Sequence, residues 1–465
     1  MTILDTGFRW RSQPVFVVVA VGATLSLNDF LTFPVLAGQN GGGAFLLLYL
    51  LFLFTLGLPL LMAELMLGRL TRRDPVAGLR KLSEQYHASI YWKLVGLASM
   101  LAAFLIAASF SVIAGWSLAY SVKSGLGLFE QLTPEAAKLI FDGFIVDSER
   151  MALWHTLFLI LLITICAQPL KAGVERINSI LVPLMAVLLA IGLILAVTSS
   201  SFEQSVRYLL YADFTAMDSR TPLLALQRAF YTLALGLGVM MAYGRYLPSG
   251  LSIGYAAALV ITIDLLFSIV SGLSINALML SRGFQPGQDS QFAFHVMPVI
   301  FGTFSNGSLF SALFFLLLTL AALTSSIALL EAPITYLQRK RGMSRLKAAV
   351  WLGVGIWLVG LGVILAHSVW NGDGFTLALY FGDEAVRLVN NAGFHDVLIF
   401  VSSHLLQPFV ALFICLLVAW TIPREVSSRE FALSKQYRFE LWNYLVRYII
   451  PVLMLVIILA GFGII

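Results

Sequence analysis

Long apolar runs recur along the whole chain, and they constrain its fold more tightly than any other feature. A helix needs about 20 residues to cross the ~30 Å hydrocarbon layer of a bilayer. Eleven segments are of that order: 13–37, 42–69, 92–126, 152–168, 174–199, 221–247, 250–281, 306–338, 346–367, 394–421 and 441–464. They are numbered spans 1 to 11 below. Charged residues make up only 11% of the chain, against about 25% in a soluble domain. None of the runs alternates with period 2, so a β-barrel is excluded and an all-α membrane protein is expected. The first run is too long for a cleavable leader and lacks a small-residue cleavage site, so none is expected.

Basic residues give the orientation. Arg9 and Arg11 precede span 1; Arg72, Arg73, Arg80 and Lys81 lie between spans 2 and 3; Lys171 follows span 4; Arg339, Lys340, Arg341 and Arg345 lie between spans 8 and 9. The opposite loops carry acids instead: Glu130, Glu135, Asp142, Asp147 and Glu149 in one, Asp383 and Glu384 in another. The N-terminus, residues 1–12, is therefore expected in the cytoplasm and the C-terminus outside, in a plasma (inner) membrane. The pI of about 9.1 reflects this asymmetry, and no nucleic-acid partner is inferred from it. Cys166 and Cys415 fall within spans, which makes disulfides unexpected.

Five charges sit well inside the apolar runs: Asp29, Glu64, Asp264, Glu331 and Arg228. Each costs at least ~2.5 kcal/mol at the centre of a membrane helix and needs a partner, a water-filled cavity or an ion. Glu64 and Glu331 read as structural pairs, whereas Asp29 and Asp264 are accompanied by further oxygen donors. Around Asp29, ATLSLNDFLTFP (23–34) is rich in residues that bond locally to backbone, and Pro34 cannot donate to the turn before it. A break near 24–28 follows, then the glycine-rich reversal GQNGGGAF (38–45). Span 6 holds a second candidate break, TLALGLGVMMAYGRYLP (232–248), loosened by Gly236 and Gly238. Interruptions five spans apart are the signal of an inverted 5+5 repeat, here 13–199 and 221–421, with residues 441–465 as an added helix. Span 8 contributes AALTSSIALLEAP (321–333), whose three consecutive hydroxyls suit a small hard cation.

These stretches resemble the neurotransmitter:sodium symporter family. The likeness runs through NDFLTFPVLAGQNGGGAF, MAELMLGR, AGWSLAYSVKSGL, GVERINSILVP, FYTLALGLG, MAYGRYLP and LTSSIALLEAPITYL, covering nearly the whole chain. It implies a leucine-transporter-like (LeuT-like) bundle with helices 1 and 6 unwound at mid-membrane, sodium-coupled uptake of an amino acid, and no enzymatic reaction. The family's second sodium site falls on the carbonyls of Gly22, Leu25 and Ala321 and the hydroxyls of Thr324 and Ser325. Its first site falls on the Thr24 carbonyl, Asp29, Thr232 and Asp264. Two acids there are unusual, and either tighten cation binding or leave one acid protonated. Ser268 stands where chloride-dependent members place a serine; with Asp264 nearby, no chloride requirement is expected.

The substrate pocket implied by the resemblance includes Ser26, Asn28, Ile106, Phe110, Tyr231, Ala234, Gly238, Ser326 and Leu329. The free N–H groups of the half-helices that begin at the two breaks suit a carboxylate. Arg228, Tyr49, Ser268 and Glu64 are expected around the gate and the buried charges, with Glu64 accepting from the unwound part of span 6. Several positions depart from the family. A carboxylate-binding tyrosine is Phe110, the outer-gate arginine is Thr32 and its acid partner is Ile399, one turn past Asp396. Arg228 replaces a glutamine and is expected to pair with Asp264 or Asp29, or to meet the substrate. If it satisfies both acids, one sodium ion couples rather than two. Arg339 replaces an inner-gate aspartate, so the Arg9–Trp10 region needs another partner. The expected function is a sodium-coupled importer of a small amino acid or related zwitterion, with no obligate protein partner. The alternatives are a same-fold carrier for an organic cation or a proton-coupled solute, and a non-transporting sensor.

Overall fold

The computed structural model describes residues 8–286, 292–370, 374–381, 384–431 and 436–464. Residues 1–7 of the expected N-terminal segment and the loop acid Asp383 lie outside them. Among the described residues, nine helices are long and apolar enough to cross a bilayer: Gly43–Thr71, Trp92–Gly125, Ser148–Ala167, Lys171–Val197, Ile253–Leu280, Gly307–Arg341, Arg345–His367, Phe394–Thr421 and Gln436–Gly461. They correspond to spans 2–5 and 7–11. Span 1 is the pair Gln13–Thr24 and Leu27–Gln39, bent by 74°. Span 6 is split into Thr221–Tyr231 and Val239–Gly244, each too short to cross alone. Span 8 has 83% of its apolar window buried against 28% for spans 5 and 11, so span 8 is the centre of the bundle, packed on spans 1, 3, 5 and 9.

Local chemistry explains both interruptions. Span 1 stops where the Thr24 hydroxyl turns back to the Val21 carbonyl at 3.1 Å. Leu25 and Ser26 are extended, a break of two residues. The helix restarts at Leu27 because the Asp29 carboxylate reaches back to the Ser26 amide at 2.7 Å, a carboxylate cap on otherwise orphan donors. In span 6, Ala234, Gly236 and Gly238 all adopt positive φ, at 51°, 75° and 69°. Alanine in that region costs roughly 1–2 kcal/mol, so the surroundings must hold it there. The freed backbone is answered from neighbouring spans: the Gly236 N–H donates to Glu64 at 2.7 Å, and the Leu235 carbonyl accepts from the Gln407 side chain at 2.8 Å. Unwound backbone at membrane depth persists only when satisfied in this way.

The reversal after span 1 uses Gly41 and Gly42, both at positive φ. A side chain on Gly42 would stand 2.7 Å from the carbonyl oxygens of Tyr208 and Tyr211. That crowding comes from the segment following the helix Phe202–Leu210, which donates and accepts at Gly41 and Gly43. Two further short helices, Pro134–Val146 and Phe292–Gly302, pack on each other. The connection 368–393, read from the sequence as a plain loop, carries an antiparallel hairpin instead, Phe375–Phe381 against Glu384–Ala392. Its strands are too short for a membrane-length criterion to register.

Candidate functional site

The unwound segments bring the expected charges into one buried cluster. Asp29 is fully enclosed and Asp264 is 1% exposed. Arg228, 8% exposed, donates through Nη2 to Asp29 Oδ1, and its guanidinium lies 5.4 Å from the Phe33 ring centroid. Thr232 Oγ1 stands 2.8 Å from Asp29 Oδ1 and 3.2 Å from Asp264 Oδ2. Asp29 Oδ2 takes both the amide and the hydroxyl of Ser26, at 2.7 and 2.8 Å. Both oxygens of Asp29 are therefore engaged by protein donors. Asp264 differs. Its Oδ1 is buried with no hydrogen-bond partner among the described residues, and the single Thr232 proton serves only one carboxylate at a time.

Of the two acids weighed for Arg228, the direct bond goes to Asp29. Asp264 is linked to that pair through the Thr232 hydroxyl. Thr24 lies beside Asp264, and Tyr49 is within electrostatic reach of Asp264, Arg228 and Asp29. Ser268 Oγ is buried without a hydrogen-bond partner among the described residues.

A second polar cluster joins the break in span 1 to span 8. The Ser325 hydroxyl donates to the Leu25 carbonyl and lies 2.7 Å from the Ala321 carbonyl. Thr324 Oγ1 is 3.1 Å from that same carbonyl. Gly22 packs against Thr324, since a Cβ on Gly22 would stand 3.4 Å from the Thr324 Cβ. Two carbonyls and two hydroxyls thus converge where span 1 opens, with Gly22 packed alongside. Neutral hard oxygens of this kind suit an alkali or alkaline-earth cation and not a soft metal.

The expected pocket residues are dispersed in their exposure. Ser326 is buried with an unpartnered hydroxyl, and Leu329 is buried. Ile106, Phe110, Tyr231, Ala234 and Ser26 are half-buried, and Asn28 is exposed, bonded to Thr32. Tyr231 donates to the Ser403 carbonyl at 3.2 Å, tying span 6 to span 10. Gly238 faces elsewhere: a side chain there would stand 2.8 Å from Ser99 Oγ and 3.1 Å from Pro75. At the start of the outer half of span 1, the Ser26 amide is taken by the Asp29 carboxylate. Asp396 similarly caps its own helix at Gly393.

On the opposite side, Trp10 is buried among Phe8, Phe16, Tyr243 and Tyr246. Its indole donates to the Tyr243 carbonyl at 3.0 Å. Tyr246 continues to Glu331 at 3.1 Å, and Glu331 pairs with Arg345 at 2.8 Å, the structural pairing expected for that acid. Arg339 is bonded to Asp74, which also caps the helix Pro75–Gln85. Sequence reasoning missed Gln407 and Asn178. Both are neutral amides, and the available signal was simply a fully buried-length apolar span interrupted by one.

Comparisons with known proteins agree on what these elements form. A sodium-dependent transporter of Bacillus subtilis (strain 168) is 29% identical over 98% of both chains. A shorter match, 34% over 132 residues, links 28% of this chain to 17% of the sodium-dependent neutral amino acid transporter B(0)AT2 of Bos taurus. Among solved structures, that of MhsT in complex with L-phenylalanine superposes with a TM-score of 0.86 at 32% identity, covering 98% of this chain and 99% of that one. The family model for the sodium:neurotransmitter symporter family matches residues 8–132 and 144–463. With its helices, its interrupted first and sixth spans and its buried oxygen clusters, this chain belongs to the sodium:neurotransmitter symporter family.

Proposed function

We propose that this sodium-dependent symporter imports a small amino acid or related zwitterion by alternating access. The observation that carries the proposal is the oxygen cluster shared by Leu25, Ala321, Thr324 and Ser325. It couples a broken helix to the most buried helix of the bundle. A sodium ion held there, with the Gly22 carbonyl, bridges span 1 to span 8 and favours the outward-facing state. Low cytoplasmic sodium empties the site and so ends the ion's bias toward that state, and spans 1, 2, 6 and 7 rock against spans 3–5 and 8–10. Each inverted repeat, 13–199 and 221–421, gives its first two spans to one body and its last three to the other, with the N-terminus inside the cell and 441–465 as an added helix. The substrate sits among Ser26, Asn28, Ile106, Phe110, Tyr231, Ala234, Ser326 and Leu329.

The first cation site follows from the charge count. The Asp29–Arg228 pair is neutral overall, so Asp264, with Thr232 and the Thr24 carbonyl, is the group that holds a second sodium ion. Arg228 does not displace it, because its direct bond goes to Asp29 alone. The spare charge of Asp264 also makes chloride unnecessary. A carrier for an organic cation is the second reading, favoured by the unpartnered Asp264 oxygen. Thermal-shift screening of amino acids and amines, with sodium or choline, followed by uptake into proteoliposomes, separates the two. Sodium-dependent accumulation of an amino acid supports the first. Accumulation of an amine in sodium-free buffer supports the second. At the bridging site, Thr324→Val should weaken sodium binding by about tenfold or more, the size of effect seen when a ligand shell is disturbed.

A further inference from the structure

Asn178 lies in span 5 and is completely buried. Its Nδ2 donates to the Val174 carbonyl one turn earlier at 2.8 Å, which fixes the orientation of the amide. Oδ1 therefore points away from its own helix, and it has no hydrogen-bond partner among the described residues. It points at the last turn of span 1 before the break: a Cβ placed on Gly22 would stand 2.5 Å from Asn178 Oδ1 and 3.4 Å from the Thr324 Cβ. Only a glycine permits that approach. Span 5 packs against both span 1 and span 8 at this level.

A buried acceptor left unpaired is costly, by about 1–3 kcal/mol. An aliphatic side chain facing Val182 would avoid that cost, so the oxygen needs a reason to be there. The geometry points to Asn178 as a further oxygen ligand of the coupling sodium ion, supplied by span 5. This rests on the proposed sodium site between spans 1 and 8. An amide oxygen is hard and neutral, so it adds affinity without altering the charge of a site made of carbonyls and hydroxyls. It also adds a third element to the two that the ion already joins. Release of the ion then requires span 5 to withdraw, as well as separation of spans 1 and 8.

The test compares Asn178→Leu and Asn178→Asp with the wild type, by direct ²²Na⁺ binding and by the sodium-induced rise in melting temperature. Asn178→Leu keeps the volume and removes the oxygen. Its sodium affinity is expected to fall about tenfold, while its melting temperature in choline stays at or above that of the wild type because an orphan acceptor is gone. Asn178→Asp keeps an oxygen in place and should bind sodium at least as tightly as the wild type. Unchanged sodium affinity in Asn178→Leu overturns the assignment, as does a loss in Asn178→Asp equal to that in Asn178→Leu. Thr324→Val is the control. If it abolishes the sodium response while Asn178→Leu does not, Asn178 is a packing residue and the site between spans 1 and 8 stands. If neither substitution changes sodium binding, that site itself is wrong.

Discussion

Arg228 and Asp29 are each improbable alone in a membrane helix, and together they form an ion pair with no net charge. Removing one partner of a buried pair typically costs about 3–5 kcal/mol, because the survivor is left uncompensated. Asp29→Asn and Arg228→Gln should therefore each lower the melting temperature and nearly abolish uptake, whereas the double variant should recover most of both. A double variant no better than the poorer single would mean that Arg228 has a second role, such as contact with the substrate. Asp264→Asn should behave differently, leaving the fold intact while removing one cation from the transport stoichiometry. The charges behind these expectations were legible in the sequence because any Asp, Glu or Arg in an apolar run is conspicuous. Which acid Arg228 would take was not legible, since Asp29 and Asp264 lie 235 positions apart in the chain and only the packing of span 1 on span 6 decides it. Asn178 and Gln407 stayed hidden because uncharged amides are ordinary residues until their surroundings are known.

Span 6 owes its shape to side chains from other helices. Glu64 and Gln407 hold one amide and one carbonyl of the unwound turn, and Ala234 keeps a backbone conformation that it would not choose in isolation. Glu64→Gln retains one acceptor and should be tolerated. Glu64→Ala leaves the Gly236 N–H unpaired, for a loss of about 1–3 kcal/mol and a lowered melting temperature even without sodium. Similar melting temperatures for the two variants would show that the break is held by packing alone. The positions of both interruptions were readable from Ser26, Pro34, Gly236 and Gly238, since these residues weaken a helix through local chemistry. Their extents were not. In span 1 only Leu25 and Ser26 leave the helix, because Asp29 caps the restart at once, while span 6 stays open from Thr232 to Gly238. The hairpin between spans 9 and 10 escaped for a different reason: seven- and nine-residue strands pair only with each other, and no helical period marks them.

Across the whole molecule, the two sides of the bundle are closed by different means. Tyr231 fastens span 6 to span 10 by one hydrogen bond, with Asn28 and Thr32 still accessible nearby. The other side is filled by Trp10 and its ring of aromatic neighbours, backed by Tyr246, Glu331 and Arg345. Cys166, whose carbonyl accepts from Arg345 and whose thiol is buried, reports on that region. In a Cys415→Ser background, Trp10→Ala should raise the maleimide reactivity of Cys166 about tenfold, since aromatic contacts of this kind contribute roughly 0.5–1.5 kcal/mol each. No change in labelling would place the closure elsewhere. Ring edges around an indole carry no formal charge, and mobile ions have little to screen there even at 1 M salt, where the Debye length shrinks to about 3 Å. Swings in the ionic strength of the solution on this side would leave the ring cluster packed, and warming or cooling, which alters apolar attraction directly, is the disturbance it would register.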